Sequence, residues 1–194
     1  MDIRYRRSTG RHERESARPG RIRAFGLIEL LVALSLAAVL LALAAPSYRD
    51  WIAASEMMNE AQHLANSMNM ARAEAINSGL RVNLCQTAGG GQCLLAGSWE
   101  GGWMLFVDNN RNGQVDPGEK VLWTEQAAAP GITLAANGPL KHYVSYTALG
   151  QARMLNGALQ MGTFTVCRQG RRAIDVVLAH SGRVRIARSS EFCP

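Results

Sequence analysis

The residues able to do chemistry in this chain lie in four places, and the most concentrated is the C-terminus. Residues 168–194 carry six arginines against only Asp175 and Glu191, and Arg183, Arg185 and Arg188 fall within six consecutive positions. A guanidinium offers a planar fork of donors that engages two oxygens of one phosphate, so this cluster suits a polyanion without reading a base edge. Binding of that kind weakens steeply with salt. The plainer alternative is a solvated arginine face, or one docked on an acidic neighbour.

The second place is the loop Asp108-Asn-Asn-Arg-Asn-Gly-Gln-Val-Asp-Pro-Gly-Glu119, which satisfies D-x-[DN]-x-[DN]-G-x5-E at every specified position. Side-chain oxygens of Asp108, Asn110, Asn112, Asp116 and Glu119, with the Gln114 carbonyl, would ligate calcium. The same Asn, Asp and Gly content favours a metal-free hairpin turn, and the flanking segments are strand-like rather than helical. The third place is the cysteines. Cys85, Cys93, Cys167 and Cys193 allow three pairings, of which 85 with 93 and 167 with 193 is the simplest. The first bond would close the Gly89-Gly90-Gly91 turn and the second would staple the C-terminus. The spacings lack the paired C-x-x-C units of a zinc site.

The fourth is Glu29, a single carboxylate near the start of an apolar run from Phe25 to Ala45. Twenty-one residues at about 1.5 Å each give roughly 32 Å of helix, enough to cross a bilayer. An acid inside such a span costs about 2.5 kcal/mol or more, which argues for a cationic partner. An ordinary secretory signal cut after Ala42-Leu43-Ala44, or a plain anchor with an accidental acid, would explain the run but not Glu29. Residues 1–24 hold eight arginines and three carboxylates, so five of the chain's six net positive charges lie ahead of the span. That bias predicts a cytoplasmic N-terminus and a C-terminal part on the outer side of the membrane.

The elements that position these groups follow from periodicity. After Pro46, Met57, Ala61, Leu64, Met68, Ala71 and Ala75 recur at intervals of three and four, which predicts an amphipathic helix. Glu56, Asn59, Glu60, His63 and Asn66 take its polar side, and Asn77-Ser78-Gly79 supplies a stop. From Leu80 onward short runs separated by Gly, Asn and Pro predict strands at 81–85, 103–107, 120–124, 142–147, 164–167 and 173–179. Together they predict one antiparallel sheet packed on the helix, an α+β arrangement. The C-terminal segment predicts a hairpin turning at Ser181-Gly182, with Arg183 and Arg185 on one face, Val184 and Ile186 on the other, and Arg188 near Asp175; Arg188 breaks the parity of the other two and reaches their side only past a bulge or at the strand end. Arg171 and Arg172 would lie toward the stapled end. Histidines 63, 142 and 180 fall on different elements, and no G-x-S-x-G, H-E-x-x-H or phosphate-cradling loop is present, so no enzyme is expected.

Arg23-Ala24, Phe25 and Leu27-Ile28-Glu29-Leu30-Leu31 resemble the class III signal of type IV pilins and type II secretion pseudopilins. The resemblance implies cleavage by prepilin peptidase between Ala24 and Phe25, methylation of the new N-terminus, and a Glu29 that meets the N-terminal amine of a neighbouring subunit. It also implies a helix loosened at Pro46. Gly182-Arg183-Val184-Arg185 resembles the G-R-x-R signature of minor pilins of the FimT type, within a FimT/GspH-like pseudopilin family, and FimT-type minor pilins bind DNA for natural transformation. That likeness implies double-stranded DNA on Arg183, Arg185 and Arg188, supported by Arg168, Arg171 and Arg172. The expected organisation is a cleaved leader 1–24, a transmembrane half-helix 25–46, an amphipathic periplasmic half-helix 47–79 and a β-rich domain 80–194. The expected location is the inner membrane and then a pilus fibre, among other pilins. The alternative is a structural minor pilin or pseudopilin that primes assembly and binds no nucleic acid.

Overall fold

The computed structural model describes residues 26–94 and 96–194, with the side chains of residues 43–46 excepted. One helix, α1 (Leu27–Ser78), opens on Gly26, whose carbonyl accepts the Glu29 and Leu30 amides at 3.0 and 3.2 Å. The helical backbone continues through Pro46, where the resemblance implied a loosening. It ends where the sequence supplies a stop. Gly79 takes a φ of +69° and donates its amide to the Ala75 carbonyl at 3.1 Å, a turn that glycine adopts without steric cost.

The N-terminal stretch of α1 is apolar apart from Glu29 and Ser35, with Leu27, Ile28 and Leu41 each at least 70 % accessible. It is long and apolar enough to cross a membrane. Residues 45–194 form a separate compact unit with its own core.

Among the described residues that unit holds eight strands: β1 (Val82–Gln86), β2 (Trp103–Val107), β3 (Val121–Thr124), β4 (Ile132–Ala136), β5 (Tyr143–Tyr146), β6 (Gly162–Arg168), β7 (Arg172–Leu178) and β8 (Val184–Phe192). The expected single sheet is instead two four-stranded antiparallel sheets, ordered β3-β2-β1-β5 and β4-β6-β7-β8. Twist explains the division. At about 20–25° per strand pair, eight strands in one sheet would rotate by roughly 150° and carry their edges away from a single helix. Two shorter sheets can each lay a face on α1.

The helix stripe is the centre of the core. Met57, Ala61, Leu64, Met68, Ala71 and Ala75 are all buried, packed with Leu84, Leu105 and Val144 of the first sheet and Phe164, Val166 and Val176 of the second. Trp99 joins the core beside Phe164, edge to face at 5.0 Å, with its Nε1 donating to the Leu140 carbonyl at 3.1 Å. Strands β1 and β2 are buried on both faces, because Cys85, Met104 and Phe106 form a second small cluster with Cys93. Bonds join Cys85 to Cys93 and Cys167 to Cys193, with Cα atoms 5.6 and 5.5 Å apart.

Candidate nucleic-acid interface

Strands β7 and β8 form the C-terminal hairpin, and β8 is an edge of its sheet. The turn is one residue longer than the sequence suggested. The Ala179 amide donates to the Arg183 carbonyl at 2.9 Å and the Gly182 amide to the Ala179 carbonyl at 2.8 Å, leaving His180, Ser181 and Gly182 as a three-residue loop. Gly182 takes a φ of +81°, the left-handed residue that closes such loops. This extra residue slides the register by one. Asp175 stands opposite Ala187, and Arg188 stands opposite Ile174 instead of near Asp175.

Cross-strand partners share a face, so the register sorts the arginines. Arg185 opposes Val177, and Arg183, two residues earlier, lies on the same outward face. Val184, Ile186 and Arg188 oppose Leu178, Val176 and Ile174, on the side turned to the core. Arg183 and Arg185 thus stay together and Arg188 falls on the other face, as its parity indicates; only its cross-strand partner differs from expectation. Arg183 and Arg185 are exposed, and among the described residues neither forms an ion pair. They border a shallow groove of about 320 Å³ with Val177, Ala179, Ser181 and Val184. Asp175, the acid on this face, accepts the Thr165 hydroxyl at 3.2 Å.

The three supporting arginines are occupied. Arg168 pairs with Glu56 and donates to the Pro130 carbonyl at 3.1 Å, and Arg171 pairs with Asp50. Arg172 stacks on Phe192, 4.7 Å from the ring centre. Two of the three thus fasten the second sheet to acids on α1, which periodicity could not reveal because the partners lie more than a hundred residues away.

Sequence reasoning missed what holds the hairpin. Gly182 is buried against the turn after β5, and a Cβ there would fall on the Gly150 carbonyl oxygen. Arg72 of α1 donates its Nε to that same oxygen at 2.9 Å, and the Ala152 amide donates to the His180 carbonyl at 3.1 Å. The glycine of the G-R-V-R segment is thus a packing requirement that aims the two arginines.

The Asp108 loop connects β2 to β3, which pair antiparallel. Its oxygens are engaged by the loop's own donors and by Asn83 of β1. Asp108 accepts the Asn83 side-chain amide at 2.5 Å and the Asn112 and Gly113 amides at 3.1 and 3.0 Å. Asp116 accepts Asn110 and Asn112 side chains, both at 2.7 Å, and Glu119 accepts the Asn109 and Asp116 amides. The Gln114 amide donates to the Asn112 side chain at 2.7 Å. Among the described residues no three His, Cys, Asp or Glu side chains gather as a metal group. Glu29 lies in the exposed first turns of α1, whereas Ala24 and Phe25 lie outside the described residues.

Comparison with known proteins agrees with this architecture. A family profile described as Type II transport protein GspH matches residues 60–182, and one described as the prokaryotic N-terminal methylation motif matches residues 20–45. The Pilin-like protein PilA1 of Thermus thermophilus is 38 % identical over 98 residues, spanning 50 % of this chain and 56 % of that protein. The chain thus spans about half the length of this relative. Crystal structures of the Pseudomonas aeruginosa type IV minor pilin FimU in two crystal forms superpose with TM-scores of 0.56 and 0.52 at 19 % and 18 % identity. They cover 73 % and 69 % of this chain and 95 % and 94 % of theirs, a likeness of fold. With more than half of its length matched, the protein belongs to the GspH family and is a minor pilin or pseudopilin.

Proposed function

We propose that this minor pilin binds extracellular double-stranded DNA, without sequence preference, through the hairpin that carries Arg183 and Arg185, for uptake in natural transformation. The observation that carries the reading is the contrast among its arginines: Arg168 and Arg171 are matched to carboxylates, while Arg183 and Arg185 stand exposed on one face with no ion pair among the described residues. A fork of donors on a rigid strand fits phosphate oxygens and asks nothing of the base. Arg188, on the other face, adds charge at the strand edge rather than a third donor in line.

The N-terminal part serves presentation. In this reading prepilin peptidase cuts between Ala24 and Phe25, the new N-terminus is methylated, and the helix stays in the inner membrane with the domain in the periplasm until assembly. Glu29 then meets the N-terminal amine of a neighbouring subunit. N-terminal sequencing of the membrane-purified protein should begin at Phe25; a start at Ala45 or Met1 would sink this step.

A second reading has one observation in its favour. Strand β8 is nine residues long and forms a free sheet edge, and charged side chains on such an edge discourage unwanted strand pairing. A structural minor pilin or pseudopilin would need its arginines for no more than that. A gel shift with the soluble unit starting near Tyr48, which contains the whole core, separates the two. Retarded duplex supports capture, and free duplex at all protein concentrations supports the structural role.

A further inference from the structure

Just past the C-terminus of α1 lies a cavity of about 290 Å³ that the hairpin reading leaves unused. Arg81, Arg111, Asp108, Asn109, Thr147 and Leu149 line it. Arg81 is aimed by two contacts, its Nη1 donating to the Ser145 hydroxyl at 2.6 Å and to the Arg153 carbonyl at 3.1 Å. Arg111 is exposed, and it is the one non-glycine among the described residues with a left-handed backbone, at a φ of 62°. Neither arginine forms an ion pair with a carboxylate among the described residues.

Two cations and one carboxylate, Asp108, therefore face one cavity, which leaves a net positive charge there. Burial pushes the Arg81 guanidinium below its ordinary range, the Arg111 charge pushes it further, and Asp108 opposes both. Asp108 offsets one of the two positive charges, and its oxygens are held by the Asn83, Asn112 and Gly113 donors rather than by either guanidinium. A bound anion would relieve the repulsion that remains. The cavity also has an address: Thr147 and Leu149 belong to the turn whose Gly150 receives Gly182 of the hairpin.

We propose that Arg81 and Arg111 form a second seat for a backbone phosphate of double-stranded DNA, beside the hairpin and separated from it by the Thr147–Ala152 turn. This rests on the DNA-binding reading and extends its footprint from one strand to the end of the domain. Arg81 is the fixed donor and Arg111 the exposed one, so the seat is half built and half open.

The test is fluorescence anisotropy of the full chain in non-ionic detergent with a labelled duplex across a salt series. Arg111→Gln, on an exposed side chain, should weaken binding severalfold and reduce the log–log salt slope by about 0.9, one phosphate contact. Inorganic phosphate, exchanged for chloride at equal ionic strength, should compete with duplex for the wild-type chain more than for Arg111→Gln. Arg111→Lys, which keeps the charge, should retain most of the affinity. Wild-type affinity and slope in Arg111→Gln, while the Arg183→Gln/Arg185→Gln chain loses binding, would overturn the second seat and leave the hairpin reading standing. Loss in Arg111→Gln alone would keep the seat and remove the hairpin. No binding by the wild-type chain would overturn both.

Discussion

Replacing Gly182 with alanine tests whether packing aims the arginine hairpin. Its φ of +81° costs a residue with a Cβ about 1–2 kcal/mol. The new methyl would also fall on the Gly150 carbonyl oxygen, which now accepts the Arg72 Nε at 2.9 Å. Losing that charged hydrogen bond adds about 1.5–3 kcal/mol. The expected total is about 2.5–5 kcal/mol, a large part of the roughly 5–15 kcal/mol typical of a domain. Gly157 is the matched control, because it has a φ of +87° and open space within 4 Å of the position a methyl would take, so Gly157→Ala carries the backbone term alone. At about 2–4 °C per kcal/mol, thermal melts should fall by about 5–20 °C for Gly182→Ala and about 2–8 °C for Gly157→Ala. Equal losses in the two variants would refute the docking of the hairpin on the Gly150 turn.

Other expectations follow from the same geometry. Replacing Cys167 and Cys193 with serine opens a loop of 26 residues and should cost about 3 kcal/mol, read as a lower urea midpoint; an unchanged midpoint would remove the staple. The Asp108 loop closes through its own hydrogen bonds, so calorimetry with millimolar calcium should show no binding heat; a saturable signal lost in Asp116→Asn would install calcium as a ligand of Asp108, Asn110, Asn112, Gln114, Asp116 and Glu119. Tyr146 is fully buried, and its hydroxyl has no partner among the described residues. Burial raises its pKa, so the neutral phenol is favoured in the fold; stability is intact below about pH 10 and falls as pH rises past the unfolded value. Tyr146→Phe should cost less than about 1 kcal/mol and should reduce that alkaline loss; a larger cost would mean that the hydroxyl is bonded.

The helix was legible almost to the residue. Its core stripe rests on side chains every three or four positions, and its end rests on Gly79, both local properties of the chain. The strands flanked by Gly or Asn were legible too. Strand β4, Ile-Thr-Leu-Ala-Ala, was not, because it is short, two of its five residues are alanines with little β preference, and its pairing is with the distant β6. The division into two sheets escaped because it is a property of accumulated twist rather than of any one segment. At the candidate site, the sequence placed Arg183 and Arg185 on one face by parity alone. It misplaced the cross-strand partner of Arg188 because a two-residue and a three-residue turn differ by one in register, and Gly182 serves either. The pairing of Arg168 and Arg171 with α1 lay beyond reach, since it depends on how the second sheet meets the helix.

The central claim, capture of DNA by Arg183 and Arg185, is tested most directly by the salt dependence of duplex affinity in the wild-type domain and in Arg183→Gln/Arg185→Gln. The account predicts a linear fall of log affinity with log salt in the wild type, and a slope shallower by about two units, with much weaker binding, in a double variant that melts like the wild type. An equally stable double variant that binds duplex with unchanged affinity and slope would contradict it.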